Sequence, residues 1–123
     1  MVIFDTTVLI EISRGNLLIK NKIELLNPEV VFISSITVAE FIVGAKDKAD
    51  LRKIQNQLEN YSVLSLNEQI NTIFLLLFNK YSLSHRPGIA DILIAATALA
   101  YDLPILTNNV KHFHFIPSLK LIN

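Results

Sequence analysis

Two short runs without a charge, Val2-Ile3-Phe4 and Val30-Val31-Phe32-Ile33, each lead into a stretch whose apolar residues follow helical spacing. A β-branched run of this kind suits a strand buried on both faces, and such strands belong to parallel sheets covered above and below by helices. The rest of the chain keeps the alternation. Helices are expected over residues 8–14, closed by Gly15, over 17–26, ended by Asn27-Pro28, and over 36–43, with Ser34-Ser35 as cap and Gly44 as stop. A polar helix over 47–60 follows, then a strand over 61–66 and a long helix over 68–83 capped by Asn67. A loop over 84–88, an alanine-rich helix over 89–101, a strand over 105–107 and a last strand over 119–122 complete the reading. Strands alternating with helices give an α/β fold, and no repeat, low-complexity tract or linker divides residues 1–123, so one domain is expected.

Composition removes several function classes. Hydrophobic residues make up 51% of the 123 and charged residues only 18%, which excludes disorder and leaves apolar surface for a partner. The longest apolar runs fall far short of the roughly 18–20 residues that a membrane span needs, so no membrane association is expected. The N-terminal residues lack the pattern of a signal peptide and there is no cysteine, which rules out disulfides and thiolate metal sites and fits a cytoplasmic protein. Eleven basic residues balance eleven acidic ones. That balance counts against a plain nucleic-acid-binding module, although a carboxylate-rich site would cancel a basic rim in the total. Basic residues gather locally at Lys46, Lys48, Arg52 and Lys53, and again at Lys111, His112, His114 and Lys120.

Three acids stand alone among apolar neighbours. Asp5 is the only charge before Glu11, Glu40 the only one from Val30 to Ala45, and Asp91 the only one from Pro87 to Tyr101. Each has an ordinary explanation. Asp5 suits a helix N-cap, Asp91 the first turn of a helix, and Glu40 a helix face that reaches water. Yet neither Glu40 nor Asp91 has an intrahelical basic partner, and in a parallel sheet all three fall where ligands bind, beyond the carboxyl ends of the strands. Two unit charges about 5–6 Å apart cost roughly 3 kcal/mol at an effective dielectric near 20, so such a cluster needs compensation. A divalent cation supplies it, and oxygen-only donors select Mg²⁺ or Mn²⁺ over zinc. Metal-assisted phosphodiester hydrolysis is the chemistry that such a site performs.

Asp5-Thr6-Thr7-Val8-Leu9-Ile10, Ser34-Ser35-Ile36-Thr37-Val38-Ala39-Glu40-Phe41, Ala90-Asp91-Ile92-Leu93-Ile94-Ala95-Ala96 and Leu106-Thr107-Asn108-Asn109 occur in this order. Together they resemble the motifs of the PIN-domain ribonucleases, and within them the VapC-type toxins of toxin–antitoxin pairs. The resemblance implies a three-layer α/β/α domain with a central parallel sheet of four to five strands. It also implies a Mg²⁺- or Mn²⁺-dependent endoribonuclease that cuts RNA, is inhibited by a small cognate antitoxin and forms a homodimer. By motif, Asp5 and Asp91 would ligate the metal directly. Glu40 would do so through water or orient the nucleophile, and Thr107 would hold a water or a phosphate oxygen. Where members carry a fourth acid, this chain has Asn109 and His112, which offer an oxygen or a nitrogen without the charge.

Other readings stay open at this level. His112 and His114 are candidate proton donors, or else part of the core or contacts to phosphate; Arg14, Lys46, Arg86 and Lys111 are candidate phosphate contacts. The 68–83 helix, apolar over more than one stripe, is either wholly buried or a dimer or antitoxin surface. A phosphoryl-transfer enzyme or receiver domain would want a second acid near Asp5, where Thr7 stands. A catalytically weakened module that binds RNA or protein draws on the missing fourth acid.

Overall fold

The computed structural model describes residues 1–122. Five strands, β1 (Val2–Phe4), β2 (Val31–Ser34), β3 (Ser62–Leu64), β4 (Ile105–Leu106) and β5 (Leu121–Ile122), form one parallel sheet in the order β3-β2-β1-β4-β5. Six helices surround it: α1 (Thr6–Ser13), α2 (Leu17–Leu26), α3 (Ser35–Val43), α4 (Lys48–Leu58), α5 (Glu68–His85) and α6 (Ile89–Tyr101). The expected three-layer α/β/α architecture is what forms. Strand order reverses beside β1, so the crevice at the carboxyl ends of β1 and β4 is where such a sheet binds ligands.

β1 shows why the layers form. All three of its residues are buried, and the pleat sends them to opposite faces. Val2 and Phe4 join Val8, Leu9, Ile19, Ile33, Phe41 and Ile54, the core under α1 to α4. Ile3 joins Tyr81, Ile92, Ile94, Ala95, Ala98 and Phe113 on the other side, under α5 and α6. Alanines let α6 lie close against the sheet, with Ala95 and Ala96 fully buried.

Element ends follow local chemistry. Ser34, Asp47 and Asn67 cap α3, α4 and α5 through their side chains, and Asn16 caps α2. Three non-glycine residues close helices in the left-handed region: Asn27 after α2, Arg86 after α5 and Asp102 after α6. The strands expected over 61–66 and 119–122 are shorter, as β3 and β5, and α5 runs two residues further than expected, to His85. A 3₁₀ turn, Val110–His112, was not anticipated. α5 is not wholly buried. Ile70 and Tyr81 are enclosed, whereas Leu75, Leu76 and Leu83 remain exposed. No helix among the described residues is long and apolar enough to cross a membrane.

The central position of Ile3, with no exposed surface and two neighbouring strands, makes it a test of the double-sided core. Ile3→Ala should destabilise the fold by about 2–5 kcal/mol in denaturant unfolding, the range for an aliphatic side chain cut back in a rigid core.

Candidate active site

Asp5 leaves the sheet at the end of β1, its N–H donating to the Leu106 carbonyl of β4 at 3.1 Å. It stands at the N-cap of α1, and its backbone carbonyl accepts from the Val8 N–H, but its carboxylate makes no cap bond. The side chain instead turns toward the switch point. Oδ2 accepts from Thr7 Oγ1 at 2.9 Å and from Thr107 Oγ1 at 2.8 Å. Thr107 is in turn fixed by β4 and β5: its N–H donates to Ile122, and its hydroxyl accepts from the Asn109 N–H at 2.9 Å. Among the described residues no hydrogen bond to Oδ1 is found. One carboxylate oxygen is anchored and the other is free.

Glu40 is held by the same device. Thr6 Oγ1 donates to Glu40 Oε1 at 2.7 Å and shares a hydrogen bond with the buried Thr37 hydroxyl at 3.0 Å. Neither Thr6 nor Thr7 takes over the helix cap; both serve carboxylates. Bonds to an ionised group contribute about 1.5–3 kcal/mol each, enough to fix a side chain that repulsion would otherwise drive apart.

Asp91 sits in the first turn of α6. Its pKa is raised, first by burial and then by the charge of Asp5, with Glu40 adding to the rise and His112 opposing it. The three acids isolated in the sequence therefore share one electrostatic neighbourhood. His112 Nδ1 lies 3.1 Å from Asp91 Oδ2. Gly88 leaves room beside this carboxylate, since a Cβ there would come within 3.3 Å of Oδ2. Among the described residues no three acid or histidine side chains converge tightly enough to hold one ion between them.

Two grooves flank the acids. One, of about 540 Å³, includes Glu40 with Arg14, Lys46 and Lys53. The other, of about 390 Å³, includes Asp91 with Arg86, Lys111 and His112. All four basic residues singled out as phosphate contacts thus line a groove next to an acid. His114 lines neither; its Nδ1 lies 3.1 Å from the Lys111 carbonyl oxygen. Asn109 contributes its backbone to Thr107, and no hydrogen bond of its side chain is found among the described residues. The sequence reading missed the roles of Thr6, Thr7 and Thr37. Their signal was present, as hydroxyls directly after Asp5 and one helical turn before Glu40.

A sequence profile of the PIN domain matches residues 2–115. The chain is 28% identical to "Ribonuclease VapC" of Rickettsia bellii, over 98% of this chain and 93% of that protein. It is 32% identical to "Ribonuclease VapC19" of Mycobacterium tuberculosis, over 98% of each. Among solved structures, VapBC-1 from nontypeable Haemophilus influenzae superposes with a TM-score of 0.85 at 30% identity, covering 100% of this chain and 98% of that one. A toxin–antitoxin complex from Klebsiella pneumoniae superposes with a TM-score of 0.84 at 28% identity, covering 100% and 97%.

The raised pKa of Asp91 sets a pH dependence. Between the ordinary carboxylate range and that raised value the folded protein holds a proton that the unfolded chain has released, so stability falls as pH rises through this window. Asp91→Asn removes the effect. Without divalent ions, the variant should melt at a higher temperature than the parent at neutral pH and lose the acidic-side slope in a pH series of thermal melts.

Proposed function

This chain belongs to the PIN-domain family, among relatives named ribonuclease VapC, and from that premise we propose that it is a Mg²⁺- or Mn²⁺-dependent endoribonuclease acting as the toxin of a toxin–antitoxin pair. The observation that carries the proposal is Asp5: a buried carboxylate anchored through one oxygen by two threonines, its other oxygen free, with Glu40 and Asp91 in its electrostatic field.

The donor set fits a hard divalent ion. All the donors are oxygens, the chain has no cysteine, and a cation relieves both the burial and the neighbouring negative charge that raise the Asp91 pKa. Mg²⁺ takes one or two protein carboxylates and keeps waters, so Asp5 and Asp91 would hold it directly and Glu40 would act through water. When bound, the ion supplies Lewis acidity toward the phosphodiester and a water acidified to hydroxide. The protein's own groups do the rest. Thr7 and Thr107 aim Asp5, Thr6 holds Glu40 where it orients the attacking water, and Asn109 fixes Thr107 through its N–H. Arg14, Lys46, Arg86 and Lys111 face the RNA backbone from the two grooves. Hydrolysis breaks the bond from phosphorus to the 3′ oxygen and leaves a 5′-phosphate and a 3′-hydroxyl.

A second reading, a catalytically weakened module that binds RNA or protein, draws on Asn109 and His112 where a fourth acid is expected. Cleavage of a labelled RNA decides between them. The parent should cut with Mg²⁺ or Mn²⁺ and stop with EDTA, and Asp5→Asn or Asp91→Asn should lower the rate at least about 100-fold, as loss of a central electrostatic group does. Mn²⁺ at millimolar concentration should raise the parent's melting temperature and not that of Asp5→Asn. RNA left intact by the parent with either metal would sink the enzyme reading in favour of the module.

The partners follow from the same premise. Solved relatives are described as VapBC and toxin–antitoxin complexes, which supports a small antitoxin protein as partner here. A cytoplasmic place of action fits this reading. We also infer a homodimer through the outer face of α5. Leu76 and Leu83, 63% and 83% exposed, are apolar side chains on that face, around Asn79 and Lys80, that water alone does not favour. Light scattering should give twice the chain mass, and Leu76→Glu should shift the protein to monomer; a monomeric parent at high concentration would end this inference.

A further inference from the structure

We propose that the groove beside Asp91 is a single-nucleotide subsite that stacks one base of the RNA on His85 while Arg86 and Lys111 take its phosphate. The inference rests on the ribonuclease reading and goes beyond it, because it assigns base contact to a particular pair of rings.

Three observations carry it. The His85 ring is stacked on Phe115, with centroids 4.4 Å apart and planes inclined by only 18°, and Tyr81 braces both rings edge-on. His85 is exposed on the last turn of α5, and among the described residues no other ring stacks on it, so a base laid on its free face continues the pile. Both rings line the same 390 Å³ groove as Asp91, a volume suited to one nucleotide rather than a duplex. Bases present π-faces whatever their identity, and stacking them on aromatic side chains is how single strands are commonly held.

The cations belong to the same wall. Arg86 directly follows His85 and closes α5 with φ of 43°, a left-handed conformation in which glycine or asparagine is the ordinary residue. Pro87 then prevents the helix from continuing. Glycine would suit that backbone better, so what arginine adds is its guanidinium. Among the described residues neither Arg86 nor Lys111 forms a salt bridge, and the groove holds both against the single carboxylate of Asp91. The groove on the Glu40 side differs. It has Arg14, Lys46 and Lys53, but its one aromatic residue, Phe41, is buried in the core and offers no free face. Stacking is confined to one side of the acids, which gives the site a polarity along the strand.

The test uses fluorescein-labelled oligo(U) and a matching abasic ribose–phosphate chain, with binding read by anisotropy in EDTA so that nothing is cut. The parent should prefer oligo(U). His85→Ala should weaken oligo(U) binding about 5- to 100-fold and change abasic binding less than about twofold, and His85→Phe, which keeps a ring on Phe115, should restore most of the loss. Arg86→Gly should weaken both probes alike and lower the slope of log affinity against log salt by about one, without loss of thermal stability. Equal affinity of the parent for the two probes, an unchanged His85→Ala, or a His85→Ala loss shared equally by both probes would overturn the stacking subsite. If the parent still cleaves RNA with Mn²⁺ in those cases, the subsite alone falls; a parent that neither binds nor cleaves RNA takes the ribonuclease reading with it.

Discussion

The placing of Asp5, Glu40 and Asp91 at the carboxyl edge of one parallel sheet is the constraint on which the rest of the site depends. A parallel sheet buried on both faces brings the ends of β1 and β4 together beneath helical walls, and whatever leaves those ends is partly withdrawn from water. Asp5 is buried and Asp91 half-buried while Glu40 reaches water, and among the described residues none of the three is paired with arginine or lysine. The protein holds them with hydroxyls. Thr7 and Thr107 grip one oxygen of Asp5, and Thr6, backed by Thr37, grips one of Glu40. Neutral donors fix geometry without cancelling charge, whereas a lysine in their place would pair the carboxylate and, on the proposed reading, remove the reason for a cation to bind.

The acids and the layers were legible in the sequence for the same reason. A carboxylate alone in an apolar stretch is costly, and a charge-free β-branched run has few places to go but a covered sheet. The hydroxyl scaffold was less legible. A threonine after an aspartate at a strand end reads first as a helix cap, and only the tertiary approach of α3 to α1 shows that Thr6 serves Glu40 instead. The contact between His112 and Asp91 and the 3₁₀ turn that presents it were not legible at all, because neither has a periodic signal. α5 was ambiguous from its composition: a helix with apolar residues on all sides is either enclosed or short of a partner, and periodicity alone does not decide which. Its exposed leucines show only that it is not enclosed.

Overall neutrality concealed a separation of charge. Asp5, Glu40 and Asp91 gather at the switch point, and part of the basic complement lines the grooves on either side, with Asp50 in one of them. The net count of zero argued against nucleic acid as a ligand because it averages over these regions; distribution, not total, steers a charged partner.

The fourth corner of the site shows what this chain does differently from an all-carboxylate arrangement. Asn109 spends its backbone N–H on Thr107 and so stiffens Asp5 at one remove, and His112 places a nitrogen on Asp91 where another acid would have added repulsion. With three acids rather than four, less charge must be held together in the metal-free fold. The same change leaves fewer oxygens for a second ion. On the proposed reading the enzyme therefore works with one tightly held ion, and any second arrives with the phosphate that needs it. The burden of binding RNA then shifts toward the groove walls, where Arg86 keeps its guanidinium at the expense of a left-handed backbone.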